Sequence, residues 1–166
     1  MSYFSKVSFG QYLDDCRKLN PLFTTDYIKE SYDRLVLPKR ATIDSAGYDL
    51  FAPYEVTLKP GEYVTIPLGI RWVANSDGYF LMIVPRSGLG FKSGVRLANT
   101  VGIIDSGYFC SDNEGHIFAK LTCDKEVTIN QGQGILQGII LPFILTDDDN
   151  ATGIRNGGFG STDRRN

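Results

Sequence analysis

The chain has 166 residues and a formal net charge of −2, with acidic and basic side chains spread along its length. That length suits one domain with a real core. The charge balance excludes a nucleic-acid surface or an acidic-lipid binder as the main function. With 18 glycines and 12 % aromatic residues, the composition points to an all-β domain with many turns.

Residues 1–30 read differently from the rest. Phe9, Tyr12, Leu13, Cys16 and Leu19 recur at helical spacing, with Ser8 placed to cap the start and Asn20-Pro21 to end it. Thr25-Asp26 opens a second short helical stretch through Tyr32. The segment is expected to be a short helix-bearing N-terminal extension packed on the main domain. From Asp33 onward the signals are β. Leu35–Leu37 and Val56–Leu58 read as short strands, and Lys59-Pro60-Gly61 as a turn. Tyr63–Val73 reads as one long strand, Asn75-Ser76-Asp77-Gly78 as a turn, and Tyr79–Val84 as a continuous apolar strand buried on both faces. Phe91–Leu97 fits one or two helical turns. His116–Leu121, Glu126–Ile129 and Ile135–Leu145 read as further strands, with a turn at Asn130-Gln131-Gly132. Many short strands at even spacing predict a jelly-roll or barrel over residues 31–146. Residues 147–166 are rich in Asp and then Gly and cannot build a core.

Cys16, Cys110 and Cys123 lack CxxC spacing, and their odd number fits a reducing compartment. Buried free thiols are expected, a Cys110–Cys123 pair across a hairpin being the alternative. The one histidine, His116, excludes a His-rich zinc site and reads as a hairpin residue. No signal-peptide pattern is present, and the apolar run Ile135–Leu145, interrupted by Gln137, Gly138 and Pro142, is too short to span a bilayer. A cytoplasmic location is expected.

Four stretches carry possible chemistry. In Ala98–Tyr108, Asp105 follows an apolar run and is flanked by glycines. A carboxylate at a strand end, with room for a ligand, suits a general base holding one water. The same residues also fit a plain strand and a turn capped by Asp105 and Ser106. Pro85–Gly90 places Arg86, Ser87 and two glycines directly after an apolar strand, which makes either an anion cradle or an ordinary turn with an exposed Arg. The tail repeats that theme with Arg155, Ser161 and Thr162. There Phe159, between glycines, suits a lid stacking on a flat ligand better than it suits a linker. Asp49 is placed to brace Arg86 or a metal-bound water, or is simply a turn residue. Gln137 interrupts its apolar strand to face something polar, or lies on a solvated face. The absence of GxxxxGK[ST] excludes a P-loop.

In this order, Ala46–Leu50, Pro85–Gly90, Asn99–Tyr108, Gly132–Gln137 and Arg155–Thr162 resemble the five motifs of trimeric dUTPases, over residues 33–163. Asp112–Ala119 looks like the longer hairpin of Gram-positive bacterial and phage members. The resemblance implies a jelly-roll-like β-barrel subunit, a homotrimer with active sites at subunit interfaces, Mg²⁺ on the triphosphate, and hydrolysis of dUTP to dUMP and pyrophosphate. Asp105 would orient and deprotonate the attacking water. Tyr108 would lie against the deoxyribose. Asn99 and the backbone near Phe118 would read the uracil edge, with Gly102 and Ile104 in the same substrate pocket. Arg86, Ser87, Gly88 and Gln137 would hold phosphate oxygens, and Asp49 would act in the outer shell of Arg86 or the metal. Arg155, Gly160, Ser161 and Thr162 would close on the substrate, with Phe159 over the uracil, so that residues 147–166 form a lid on a neighbour's site.

Three departures stand out. Gly134 occupies a position that is usually basic, the tail motif is one residue shorter between Arg155 and Gly157 and ends in Asp163, and residues 1–30 have no family counterpart. Two rival readings share the pocket. A dCTP deaminase needs a carboxylate where Lys120 stands. A non-catalytic nucleotide sensor acting on a partner protein would bind without turnover, and the intact Asp105 argues against it.

Overall fold

The computed structural model describes residues 2–75 and 77–153. Eleven strands and three α-helices follow one another: β1 (Tyr3–Lys6), α1 (Phe9–Leu19), α2 (Thr25–Asp33), β2 (Tyr48–Phe51), β3 (Val56–Leu58), β4 (Val64–Pro67), β5 (Ile70–Val73), β6 (Tyr79–Pro85), α3 (Ser87–Ser93), β7 (Arg96–Leu97), β8 (Gly102–Asp105), β9 (Phe118–Thr122), β10 (Val127–Ile129) and β11 (Gly134–Pro142). A 3₁₀ turn, Ser106–Cys110, follows β8. All ladders are antiparallel. They form a four-stranded sheet in the order β2-β11-β6-β8, a three-stranded sheet β4-β9-β7, and two strand pairs, β1-β5 and β10-β3. The all-β, jelly-roll-like expectation therefore holds, with separate open sheets rather than a closed barrel among the described residues.

The inner faces of the sheets meet over one core in which Leu50, Ile66, Trp72, Leu81, Leu121 and Ile129 are fully buried. Each such side chain stabilises the fold by about 1.5–3 kcal/mol. A second, smaller core lies under the helices. There Val7, Tyr12, Cys16 and Ile28 are buried, and Phe23 packs against both cores. Ser8 caps α1 by accepting from the Gln11 N–H, and Thr24 caps α2 by accepting from the Tyr27 N–H, so one orphan amide of each first turn is served locally.

Several expectations are corrected. The N-terminal segment is more than helix: Tyr3–Lys6 pairs with β5, a four-residue strand too short to stand out beside the helical pattern. Leu35–Leu37 joins no ladder, and only Lys39 bridges to Asp49. The long strand Tyr63–Val73 is broken at Gly69, whose φ of +72° turns the chain. A Cβ there would stand 2.4 Å from Leu35 Cδ1 and 3.1 Å from Tyr12 Cε2, so the break is where the N-terminal segment seats. β6 is buried on one face only. Leu81 and Ile83 point inward and are buried, whereas Phe80, Met82 and Val84 on the opposite face stay half-buried. β11 ends at Pro142, short of Leu145, where the proline cannot donate to a ladder. Cys16 and Cys123 are buried free thiols, but Cys110 is exposed and unpaired with Cys123. No described helix is long and apolar enough to cross a membrane.

Candidate active site

Asp49 and Gln137 are direct partners in the β2–β11 ladder, and Gln137 in turn faces Val84 of β6. Partners in register share a sheet face, and Gln137 Nε2 accordingly donates to Asp49 Oδ1 at 3.1 Å. Arg86 leaves the end of β6 and caps α3 with its extended backbone. Its Nε lies 3.3 Å from the same Asp49 oxygen, and its Nη1 reaches the Gly134 carbonyl at 3.4 Å. The Asp49 side chain is 10 % exposed. A carboxylate so buried needs a cation and hydrogen bonds, and this one has both. The guanidinium side chain remains 39 % exposed, braced from behind and presented to solvent. Ser87 and Gly88 follow it and are exposed, and a Cβ on Gly88 would meet nothing within 4 Å.

Gly134 belongs to this arrangement. A Cβ at 134 would lie 2.5 Å from Arg86 Nη1 and 3.2 Å from its Cδ and Cζ. Any side chain at 134 would displace Arg86 from where it rests. The missing basic residue and the position of Arg86 are thus one feature: the guanidinium occupies the space that the glycine leaves.

Asp105 stands at the other end of the sheet. β8 pairs with β6 so that Asp105 faces Phe80 and Gly102 faces Ile83. Ile104 is buried and anchors the strand, and half-buried Asp105 starts the 3₁₀ turn without using its side chain as a cap. Tyr108, in that turn, is 3 % exposed, and its hydroxyl donates to the His116 carbonyl at 3.0 Å and accepts from Asn113 Nδ2 at 2.9 Å. Burial raises the Tyr108 pKa, against the lowering effect of the Asn113 bond. Asn99 is exposed in a loop tied to β9 by the Ala98 N–H to Lys120 carbonyl bond of 2.8 Å. Phe118 starts β9, its ring 4.6 Å from that of His116.

The expected site residues therefore fall into two groups. Asp49, Arg86 and Gln137 are in contact, with Ser87 and Gly88 beside them, at the Pro85 end of β6. Asp105, Tyr108 and Phe118 belong to the Phe80 end and the adjoining hairpin. Six positions of strand separate Phe80 from Arg86, roughly 20 Å at about 3.3 Å per residue. One copy of the chain does not bring the groups together. Arg155, Phe159, Gly160, Ser161 and Thr162 lie outside the described residues.

His116 has a role that its sequence position did not disclose. It is a hairpin residue that is fully buried. Its Nδ1 lies 2.7 Å from Asp15 Oδ2 on α1, and its Nε2 accepts the Gly69 N–H at 2.8 Å. An Nε2 that accepts must be unprotonated, so the ring is neutral with its proton on Nδ1, donated to Asp15. Burial works against ionising Asp15, but the bonds from His116 and Gln11 outweigh it and hold its carboxyl below the usual range. The only sequence hint was a charged residue, Asp15, on the apolar face of α1.

No group of three or more His, Cys, Asp or Glu able to hold a metal ion exists among the described residues. Among the described residues, the carboxylate in contact with Arg86 is Asp49, already bonded to Arg86 and Gln137. That donor set does not fit a metal caged by protein. It fits one carried by a polyphosphate with a single carboxylate in its outer shell.

The fold is an open antiparallel jelly roll with a braced arginine on one rim and a strand-end aspartate on the other. The family model for dUTPase matches residues 33–163. The dUTPase of Lactococcus lactis is 41 % identical over 131 residues, covering 76 % of this chain and 87 % of that protein. The Burkholderia mallei enzyme is 42 % identical over 135 residues, covering 77 % and 89 %. Among solved structures, Streptococcus mutans dUTPase superposes with a TM-score of 0.64 at 30 % identity, over 87 % of this chain and 98 % of that one. The dUTPase of Staphylococcus aureus phage phi11 shares the fold, with a TM-score of 0.60 at 20 % identity, over 73 % and 92 %. The chain belongs to the dUTPase family, whose activity is the hydrolysis of dUTP.

Proposed function

We propose that this chain hydrolyses dUTP to dUMP and pyrophosphate at sites shared between copies of a homotrimer, with Mg²⁺ carried by the triphosphate. The observation that supports the shared site best is the separation of Asp105 from the Arg86 cluster along β6. Phosphoryl chemistry needs the base and the phosphate-binding groups around one substrate, which a second copy can supply. The half-buried outer face of β6, with Phe80, Met82 and Val84, and the half-exposed Ile103 of β8 are apolar surface available for that association.

In this reading Asp105 orients a water and takes its proton as the oxygen attacks the α-phosphorus. The bond to the bridging oxygen then breaks, and pyrophosphate leaves. Arg86, the Ser87 hydroxyl, the Gly88 backbone and Gln137 hold phosphate oxygens as charge builds on them. Bound Mg²⁺ would neutralise triphosphate charge, with Asp49 in its outer shell. Asn99 and the backbone near Phe118, with Gly102 and Ile104, enclose the uracil too closely for a 5-methyl group. Tyr108 lies against C2′ and disfavours a 2′-hydroxyl. Arg155, Gly160, Ser161 and Thr162 close the site, with Phe159 over the base. Lys120, where a deaminase needs its carboxylate, lies on the exposed side of β9 with its Nζ 5.3 Å from the centre of the Tyr63 ring, which gives deamination no support.

The test is product analysis with Mg²⁺, offering dUTP, dCTP, dTTP and UTP separately. The expected result is dUMP and pyrophosphate from dUTP alone. Binding of dUTP without product would overturn the hydrolytic reading in favour of a nucleotide sensor.

A further inference from the structure

We propose that α1 positions the base- and sugar-facing wall of the site, with Asp15 and His116 as positioning residues that set substrate affinity and selectivity; this rests on the dUTP reading above. A continuous set of contacts runs from the helix to that wall. Gln11 Nε2 donates to Asp15 Oδ2 at 2.7 Å, and the same carboxylate oxygen takes the His116 Nδ1 proton at 2.7 Å. The His116 carbonyl accepts from the Tyr108 hydroxyl, and its ring lies against Phe118. A shift of His116 is therefore delivered at once to the ring proposed to face the sugar and to the strand proposed to read the base.

A second tie acts on the same hairpin. Glu114 accepts from the Ser8 N–H at 2.8 Å and from the Ser8 hydroxyl at 2.6 Å, across 106 residues of sequence. Glu114 has a φ of +58°, a conformation a glutamate rarely adopts unless its surroundings hold it there. The start of α1 thus holds one strained residue of the hairpin, and the middle of α1 holds His116 two residues later.

Packing alone does not require this chemistry. Tyr12, Cys16 and Ile28 already bury an apolar face under the helices. Placing a carboxylate against the one buried imidazole adds desolvation cost and contributes direction instead, since both ring nitrogens of His116 are then committed, one to Asp15 and one to the Gly69 N–H. A fully buried imidazole with both nitrogens fixed has one orientation.

The experiment compares the full chain with Asp15→Ala and Asp15→Asn, measuring kcat and KM for dUTP and the inhibition of that turnover by dCTP and dTTP. Loss of the Nδ1 partner leaves a buried donor unsatisfied, so Asp15→Ala should raise the dUTP KM about tenfold and narrow its selectivity over dCTP, with kcat changing less. Asp15→Asn, whose amide oxygen still accepts from Nδ1, should recover most of the loss. A lower melting temperature in Asp15→Ala with wild-type KM and selectivity would overturn the proposal and reduce α1 to a support. If Asp15→Ala does not fold, Ser8→Ala serves. It should raise KM about twofold to threefold by removing one of the two bonds to Glu114, and an unchanged KM would overturn the proposal. Should the wild-type chain bind but not hydrolyse dUTP, the dissociation constant for an α,β-imido dUTP analogue replaces KM, so failure of the hydrolytic reading and failure of the positioning role give different results.

Discussion

The two ends of β6 are built in opposite ways. At the Pro85 end, Asp49, Gln137 and Arg86 come from β2, β11 and the β6–α3 junction and satisfy one another within a single copy. At the Phe80 end, the 3₁₀ turn that follows Asp105 leans through Tyr108 on His116 and, through it, on the N-terminal helix. The first end is a charge cluster fixed by sheet register, where neighbours in the ladder dictate which side chains meet. The second is a loop surface fixed by the N-terminal helix, distant in sequence. Sheet register tolerates little variation, because a one-residue slip reverses every side chain. A loop braced by an added element can be tuned without disturbing the sheet. The half proposed to bind phosphate is thus the rigid half, and the half proposed to face base and sugar is the adjustable one.

The largest expected effect separates chemistry from binding. Asp105→Asn should retain dUTP binding and lose about 10²–10⁴-fold in turnover, the worth of a positioned general base. Near-normal kcat in that variant would remove Asp105 from the chemistry. A smaller effect is expected at the rigid end. Gly134→Ala must push Arg86 off its rest position and should raise the dUTP KM about tenfold, which corresponds to about 1.4 kcal/mol. An unchanged KM would mean that Arg86 does not bind phosphate from where it lies.

The smallest effect belongs to the adjustable end and is pH-dependent. The Asp15 carboxyl is held below its usual value near 3.8. Its contribution to stability is therefore fully present above that value and is lost as pH falls through the lower, folded-state value. Melting temperatures measured from pH 6 downward should show wild type losing stability in acid more steeply than Asp15→Asn. Parallel curves would mean that the ionisation of Asp15 contributes nothing to stability.

Much of this was legible from sequence where a local pattern sufficed. Ser8 and Asn20-Pro21 bounded α1 because caps are short-range signals. Lys59-Pro60-Gly61 marked a turn because Gly61 must take a φ of +79°. The pairing of Asp49 with Arg86 was anticipated as one of several roles for Asp49, and sheet register selects it. What escaped the reading depended on contacts between distant segments. The break at Gly69 exists because Leu35 and Tyr12 press against it, and nothing within Tyr63–Val73 announces them. His116 became a core residue because Asp15, 101 positions earlier, meets it. Gly134 seemed to be a lost charge until Arg86 was seen in the space it leaves.

The central claim, that a working site takes Arg86 from one copy and Asp105 from another, has a direct test in subunit mixing. Arg86→Ala and Asp105→Asn chains would each be inactive alone. Unfolded together in equal amounts and refolded, they should recover about a quarter of wild-type activity, since random trimers of cyclic symmetry restore one intact site in each mixed assembly. Recovery at that level supports a shared site. Mixed assemblies with no more activity than either parent would contradict it, and would place both residues in a site built by a single chain.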